Sequence, residues 1–426
     1  MIKKAVLILS LFILVSGMSL YAQGEDLILK IAVVGPGNQL YFWWGHIALI
    51  IDDSRTGRSN FFDYGIFDFK QENFFLNFAL GRLLYICGVS PATANMIIYE
   101  RTNRDVIIYT LDLPAQTKLK VREFALINVL PENREYFYHH FDDNCSTRIR
   151  DIIDLATDGQ FYEYYGQMES RFTLREHVRR HTWFSPPADW FLNFLMGQAI
   201  DRKITVWEDM FLPSEVGKWI EDFYYIDADG ERRKLVSDTD VLFVSQGRPG
   251  VLEEPKARWP LFLIFSLVLT LVFGFFFYLY SKKIKAGRVL AGISVSLCGL
   301  FFGFAGLLLY FMSLFTNHDY TFENFNMIFC TPLLLVSFPA GLIYAFTNNQ
   351  KKLFICNQLI RLVWLLTAAG IFVSMAIKIL PWFYQDNLAE QLLLLPIALL
   401  FTCQPLGLKE VLDKYFPKKG NQHGSQ

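Results

Sequence analysis

The chain has 426 residues, a formal net charge of −1, and 53% hydrophobic and 16% aromatic side chains. This composition is too apolar for one soluble domain, and the chain is long enough for two units. A near-zero net charge without a basic patch argues against a nucleic-acid-binding protein, which needs cationic side chains to attract phosphates. The composition therefore favours a membrane protein.

Residues 1–22 predict a signal peptide. Lys3 and Lys4 form a basic region, residues 5–15 form a short apolar run, and residues 20–22 provide a cleavage site. The alternative is an uncleaved first membrane span, which the short apolar run disfavours. We expect the mature chain to begin outside the cytoplasm.

Residues 23–255 predict an extracytoplasmic domain of the α+β class. The predicted elements are strands at Leu27–Val34, His46–Asp52, Asn60–Phe67, Met96–Tyr99 and Val106–Leu111 and a helix at Pro114–Val129. The second and third strands form a hairpin with its turn near residues 55–56. With that register, His46 lies opposite Gly65, and Asp63 is its diagonal neighbour on the same face.

The segment FDDNCSTRIRDIIDLA at residues 141–156 has the pattern of a helix start. A polar residue before Cys145 caps the helix, and apolar residues recur on one stripe. Cys145 then lies in the first turn, where unsatisfied N–H groups, the helix dipole and Arg148 favour a thiolate. A histidine fixed at the head of a strand, such as His46, is the complementary base for a cysteine nucleophile.

Structural explanations compete with this chemistry. A lone cysteine or histidine is more often a packed core residue than a nucleophile or a base. Cys87 and Cys145 are the only cysteines in residues 23–255, so a disulfide between them is a further alternative in an oxidising compartment.

Several neighbouring residues are weaker candidates. Arg148 and Arg150 are candidate contacts for a lipid headgroup phosphate, with simple solvent exposure as the alternative. Trp43 and Trp44 are either core residues or an interfacial belt at the level of lipid headgroups. Of the two histidines at residues 139–140, at most one faces the site if they lie on a strand.

One histidine pair has a spacing that suits a metal ion. His177 and His181 lie at i, i+4 on a predicted helix. No third ligand is nearby in the sequence, so we expect both side chains to be solvated and predict no metal site. We expect no cofactor either.

Five long apolar runs follow the domain, each near the ~20 residues that a helix needs to cross the hydrocarbon. They lie at Trp259–Tyr280, Val289–Phe311, Met327–Phe346, Leu362–Ile379 and Leu388–Cys403. Lys and Arg concentrate in the first and third connecting loops and in the tail, whereas the second loop has none. By the positive-inside rule, the N-terminal domain lies outside and the C-terminus inside. We therefore predict five transmembrane helices in residues 256–408 and a cytoplasmic tail at 409–426.

The His46 and Cys145 segments together resemble a known family. A strand-borne Gly-His step followed by an Asn-Cys step that opens a helix is similar to the circularly permuted papain-like fold of the lecithin:retinol acyltransferase type. More closely, WGHIALII, FDYGIFDF, residues 81–85, DDNCSTRIRD and DRKITVWEDMFLP resemble the Lnb family of bacterial lipoprotein N-acyltransferases. Such proteins have an extracytoplasmic domain followed by five membrane spans, so the resemblance covers nearly the whole mature chain.

The resemblance implies roles for the matching residues. The Gly-His and Asn-Cys motifs of the family place the general base at His46 and the nucleophile at Cys145. The family's Asn-Tyr-Gly step reads DYG here, so Asp63 replaces an asparagine. A carboxylate at Asp63 would orient the imidazole, and capping of a strand at the surface is the alternative. We assign Asn144 and Ser146 to positioning and to an oxyanion hole at the helix start.

The resemblance also implies a reaction. An acyl chain would pass from a membrane phospholipid, through a Cys145 thioester, to the α-amino group of the diacylglyceryl-modified N-terminal cysteine of an exported lipoprotein. The site would face the periplasm from the bacterial inner membrane. One alternative is a papain-like amidase or peptidase acting on cell-wall peptide, although a peptidase needs only one anchor. The other alternative is a non-catalytic membrane scaffold.

Overall fold

The computed structural model describes residues 24–67, 70 and 72–403. These residues form two units, one of residues 24–184 with 202–255 and the other of residues 185–201 with 256–403. The predicted signal peptide and cytoplasmic tail lie outside the described residues.

The first unit is built on a seven-stranded antiparallel sheet. Its strands are β1 (Leu27–Val34), β2 (His46–Asp53), β3 (Arg58–Ile66), β4 (Leu84–Pro91), β5 (Val106–Leu111), β6 (Glu135–Phe137) and β9 (Val236–Phe243), in the spatial order β6-β4-β3-β2-β1-β5-β9. Two further strands, β7 (Tyr224–Ile226) and β8 (Arg232–Lys234), form a separate hairpin.

The helices of the first unit cover both faces of the sheet. They are α1 (Phe74–Ala79), α2 (Ala92–Arg101), α3 (Ala115–Asn128), α4 (Cys145–Ala156), α5 (Gln160–Tyr165), α6 (Leu174–Thr182), α8 (Val206–Asp209) and α9 (Pro213–Glu221). The larger core includes Ile149 and Ile153 of α4 against Ile47 and Leu49 of β2. The smaller core lies on the opposite face, where α2 packs.

The β2–β3 hairpin has the predicted register, with Ala48 paired to Asp63 and Asp53 to Arg58. Apolar alternation fixes this register, because a slip by one residue would move every core side chain to the other face. His46 and Asp63 therefore share the face covered by α2, whereas α4 packs on the other face.

The strand predicted at Met96–Tyr99 is wrong, because these residues belong to α2. The apolar residues Ala92, Met96 and Tyr99 recur at spacings of four and three and pack together against the smaller core. Two β-branched residues, Ile97 and Ile98, gave the segment its strand-like character, and both are exposed on the helix.

The second unit is helical. It consists of α7 (Pro186–Leu195), α10 (Trp259–Ser281), α11 (Lys285–Phe315), α12 (Ser337–Phe346), α13 (Gln350–Ile377) and α14 (Leu388–Cys403). Three of these, α10, α11 and α13, are long and apolar enough to cross a membrane. The other two predicted runs form shorter apolar helices, at Pro332–Phe346 and Leu388–Cys403, so five spans stay a prediction.

Helix α7 packs within the second unit, which the predicted boundary at residue 255 did not anticipate. Trp190 lies against Phe262 and Phe301, with ring centroids 6.5 and 6.1 Å away. The side chain of Asn324 donates to the carbonyl oxygens of Phe194 (2.9 Å) and Leu195 (3.0 Å). These bonds satisfy carbonyls that the end of the helix would otherwise leave without partners.

Candidate active site

His46 and Asp63 form a close pair at the head of β2. His46 Nε2 lies 3.0 Å from Asp63 Oδ1, and the two side chains are 13% and 19% exposed. Asp63 Oδ1 also accepts a hydrogen bond of 2.7 Å from the backbone N–H of Gly65. The carboxylate is therefore fixed from both sides and holds the imidazole in one orientation.

Two glycines make room for this pair. A Cβ added to Gly65 would lie 2.8 Å from His46 Cε1 and 3.3 Å from His46 Nδ1, so the ring packs directly on the glycine. Gly45 has φ of +83°, and a Cβ there would lie 2.7 Å from the carbonyl oxygen of Val34. The Gly-His and Asp-Tyr-Gly steps therefore have a steric basis, because neither glycine tolerates a side chain without movement.

The pair is electrostatically coupled. Burial is the largest single cause and lowers the pKa of His46, but the charges of Asp63, Tyr99 and Cys145 and the hydrogen bond to Asp63 together raise that pKa well above 6.5. Burial alone raises the pKa of Asp63, but the imidazolium and the hydrogen bonds lower it below 3.8. The pair therefore rests as imidazolium and carboxylate at neutral pH.

Cys145 is the first residue of α4, and Asn144 caps the helix. Asn144 Oδ1 accepts from the backbone N–H groups of Ser146 (2.7 Å) and Thr147 (3.1 Å). Asn144 Nδ2 donates to the carbonyl oxygens of His140 (2.6 Å) and Phe211 (3.1 Å). Every polar atom of this side chain is thus used to fix the start of the helix.

These contacts bear on the predicted oxyanion donors, whose role stays a prediction. The Asn144 side-chain amide has both of its groups hydrogen-bonded within the fold. The Ser146 N–H is bound to Asn144, and the buried Ser146 hydroxyl has no partner among the described residues. Among the first three N–H groups of α4, only that of Cys145 has no acceptor in the part of the chain that the structure describes.

Cys145 lies within electrostatic reach of His46, since a negative charge on Cys145 is among the causes that raise the pKa of His46. The described contacts include no hydrogen bond between the two side chains. Three tyrosines, Tyr85, Tyr99 and Tyr136, surround the same position: burial raises the pKa of each, and the Cys145 charge adds to that effect. All three remain neutral hydroxyls at physiological pH.

The second cysteine of the unit differs from Cys145. Both are free, so the predicted alternative of a disulfide is wrong. Cys87 is buried, and burial raises the pKa of its thiol to about 12. Cys145 is partly exposed. Only one of the two thiols is therefore both accessible and placed at a helix start.

The two arginines of α4 have intramolecular partners. Arg148 forms a paired contact with Asp143, with Nε to Oδ1 at 2.5 Å and Nη2 to Oδ2 at 2.7 Å. Arg150 is buried, donates to the carbonyl oxygen of Trp207 at 3.0 Å, and is bound to Asp151. The predicted headgroup contact is therefore corrected for Arg150, whose guanidinium is occupied. Arg148 keeps a partly exposed edge.

The aromatic residues before His46 are integrated into the unit. The Trp43 ring meets Phe184 edge-on at 4.8 Å, and its indole N–H donates to the Asn38 carbonyl oxygen at 3.2 Å. The Trp44 ring meets His140 at 4.8 Å. Both tryptophans are partly exposed, so a role beside lipid stays a prediction.

The prediction that His177 and His181 are solvated is wrong, because both are buried. His177 Nε2 pairs with Asp209, and His177 Nδ1 lies 2.9 Å from Arg180 Nη1. Asp209 also accepts from the Ser170 hydroxyl at 2.9 Å. The histidines belong to a saturated polar network inside the unit.

Sequence reasoning missed this network and a buried cation near the site. Arg104 is fully buried, donates to the Gly35 carbonyl oxygen at 2.9 Å, and its charge helps to lower the pKa of Asp63. An isolated arginine in a loop carries no motif that would have identified it. The i, i+4 spacing of His177 and His181 was the only sign of the network in the sequence. Their partner Asp209 lies 32 residues after His177, so no local motif joins them.

The fold and these contacts define a membrane protein whose α+β domain holds an accessible cysteine at a helix start beside a His–Asp pair. Residues 22–179 match the family described as Lnb N-terminal periplasmic domain. This match supports an Lnb-type protein with a periplasmic N-terminal domain, and the matched segment contains His46, Asp63 and Cys145. No curated protein and no solved structure matches the chain.

Proposed function

We propose that the protein is a lipoprotein N-acyltransferase of the inner membrane, with five spans and a cytoplasmic C-terminus. The observation that carries this proposal is the position of Cys145 at a capped helix start within electrostatic reach of the His46–Asp63 pair. An Lnb-type periplasmic domain in one chain with apolar helices supports a lipid-modifying role for that site. The alternation of charge in the connecting loops supports the orientation.

In the first half-reaction, Cys145 attacks a phospholipid. His46 already carries the proton as an imidazolium, so Cys145 reacts as its thiolate partner, and the sulfur adds to the ester carbonyl carbon of the lipid. The bond from that carbon to the glycerol oxygen breaks, and His46 donates the proton to the leaving oxygen. The products are a Cys145 thioester and a lysophospholipid.

The oxyanion of this step needs donors that the fold leaves available. The backbone N–H of Cys145 is one such group, since the following two N–H groups are used by the cap. The neutral hydroxyls of Tyr85 and Tyr99 are further donors within electrostatic reach of the sulfur, whereas the Tyr136 hydroxyl already donates to the carbonyl oxygen of Tyr64. Donors that are already oriented lower the barrier more than solvent does.

In the second half-reaction, the free α-amino group of a diacylglyceryl-modified cysteine attacks the thioester carbonyl carbon. The carbon–sulfur bond breaks, His46 takes the amine proton, and the Cys145–His46 pair returns to its starting state. The products are a triacylated lipoprotein and free enzyme. A water molecule in place of the amine would make the same site a hydrolase.

The test is mass spectrometry of lipoprotein N-termini from cells that depend on this protein. We expect N-acylation with the wild type and its loss with Cys145→Ser. The matched control is Cys87→Ala, which alters the buried thiol of the same unit and should retain N-acylation. Unchanged N-acylation in Cys145→Ser would overturn the proposal, and release of free fatty acid without N-acylation would favour the hydrolase.

A further inference from the structure

Helix α1 presents an apolar surface to solvent. Its sequence, FFLNFA, has no charged residue. Phe75, Leu76 and Phe78 are 78%, 56% and 58% exposed, whereas Phe74 is buried and anchors the helix to the unit. A contiguous exposed group of large apolar side chains is costly in water and marks a surface that meets another apolar phase.

The exposed surface continues toward His46. The Phe67 ring lies 6.2 Å from Phe74 and 5.6 Å from Tyr41. Tyr41 and its neighbour Leu40 are also exposed, and they belong to the 3-10 turn Leu40–Phe42. Three residues separate the end of this turn from His46. We call Leu40, Tyr41, Phe75, Leu76 and Phe78 the α1 apolar edge.

The charges along the chain beside this edge are sparse. Between residues 68 and 82 the charged residues are Asp68, Lys70, Glu72 and Arg82, and residues 73–81 have none. An apolar surface without charge is complementary to the hydrocarbon of a bilayer.

We propose that the α1 apolar edge inserts into the lipid bilayer in which the same chain is anchored. The apolar helices α10, α11 and α13 are long enough to anchor the chain in that bilayer. An anchored domain meets a high local concentration of lipid. Aromatic side chains such as Phe75 and Phe78 suit the boundary between headgroups and acyl chains. The edge also gives a phospholipid an apolar path toward the head of β2, a consequence that rests on the proposed acyltransferase function.

The test is photocrosslinking in the membranes of cells that express the full chain. p-Benzoylphenylalanine replaces Phe75, and the cells are fed a fatty acid with an alkyne tag, so that crosslinked phospholipid is detected on the protein. The control position is Tyr164, an aromatic residue of α5 that is 59% exposed. We expect about tenfold more lipid crosslinking at Phe75 than at Tyr164.

Equal lipid crosslinking at the two positions, or a crosslink from Phe75 to protein instead of lipid, would overturn the proposal. The same measurement in a Cys145→Ala background separates it from the proposed chemistry, because insertion needs no thioester. Lipid crosslinking that persists in this background supports the membrane contact whether or not the protein transfers acyl chains.

Discussion

Two of the His–Asp pairs in the first unit are mostly buried, and they differ in what surrounds them. His46 and Asp63 are 13% and 19% exposed, and His46 is within electrostatic reach of a free cysteine. His177 and Asp209 are 0% and 5% exposed, and their remaining polar atoms bind Arg180 and Ser170. The first pair is partly accessible to solvent, whereas the second is enclosed.

The hydrogen-bond partners of the ring nitrogens are a second difference between the two pairs. An arginine only donates, so His177 Nδ1 accepts from Arg180, and the proton on Nε2 is donated to Asp209. His46 has Nε2 on Asp63 and Nδ1 against Gly65, with no other side chain hydrogen-bonded to it among the described residues. A His–Asp pair is therefore a catalytic candidate only where one of its nitrogens is left for a substrate or a nucleophile.

Replacement of His46 by Gln should have the largest effect on activity. The loss of an acid and base in both half-reactions predicts a fall in N-acylation of about 100- to 10,000-fold. The unfolding temperature of the full chain in detergent should fall less than in His177→Gln, because the His46–Asp63 pair is partly exposed and Gln can keep a contact with Asp63. If His46→Gln lowered the unfolding temperature as much as His177→Gln does, the two pairs would not differ in their contribution to stability.

Replacement of Asp209 by Asn should affect stability instead. Breaking one member of a buried hydrogen-bonded pair predicts a loss of about 3 kcal/mol in the free energy of unfolding. The measurement is thermal unfolding of the detergent-solubilised chain, with Asp63→Asn as the matched control. The control should lose less stability than Asp209→Asn, because its pair is partly exposed, and a larger loss in the control than in Asp209→Asn would contradict this account.

Replacement of Asp63 by Asn should also change the pH dependence. The carboxylate raises the pKa of His46, so its removal leaves burial dominant and lowers that pKa. The rate of N-acylation should therefore begin to fall at a lower pH on the alkaline side of its pH profile. The maximal rate should be reduced by about 100-fold. A titration of the His46 ring by NMR checks the shift directly, and an unchanged pKa would show that Asp63 does not control the imidazole.

The same coupling fixes how the pair contributes to wild-type stability. The His46 contribution is complete below its usual pKa of 6.5 and is lost as pH rises through the raised value. The Asp63 contribution is complete above 3.8 and is lost as pH falls through the lowered value. The ion pair therefore stabilises the fold most between these two limits.

Replacement of Gly65 by Ala should have a smaller effect on activity. The added Cβ would lie 2.8 Å from His46 Cε1 and would displace the ring, with an expected loss of about tenfold. Gly250 is the matched control, because a Cβ there meets nothing within 4 Å. A rate for Gly65→Ala equal to that of Gly250→Ala would mean that the position of the ring is not critical.

The elements of the site that local patterns encode were predictable from the sequence. Period-two alternation and the turn near Gly57 gave the His46–Asp63 register, and the polar residues before Cys145 gave the helix start. Residues that reach the site from distant elements were not predictable, because Tyr85, Tyr99 and Tyr136 follow no shared motif.

The membrane part shows the same limit. Hydropathy identified the apolar runs, but it does not show where a run is interrupted. The third run begins within the 3-10 turn Phe325–Ile328 and includes the 3-10 turn Pro332–Val336 before α12 begins, and Pro332 limits the backbone hydrogen bonding there. Nor does hydropathy show that α7 packs with these helices through hydrogen bonds from Asn324.

The central claim is that Cys145 carries the acyl chain between donor and acceptor. The most direct measurement is mass spectrometry of the purified full chain after incubation with a phospholipid that bears isotope-labelled acyl chains, in the absence of lipoprotein. We predict one labelled acyl group on the peptide that contains Cys145, released by neutral hydroxylamine as a thioester should be. N-acylation that proceeds while no acyl group forms on Cys145 would contradict the account.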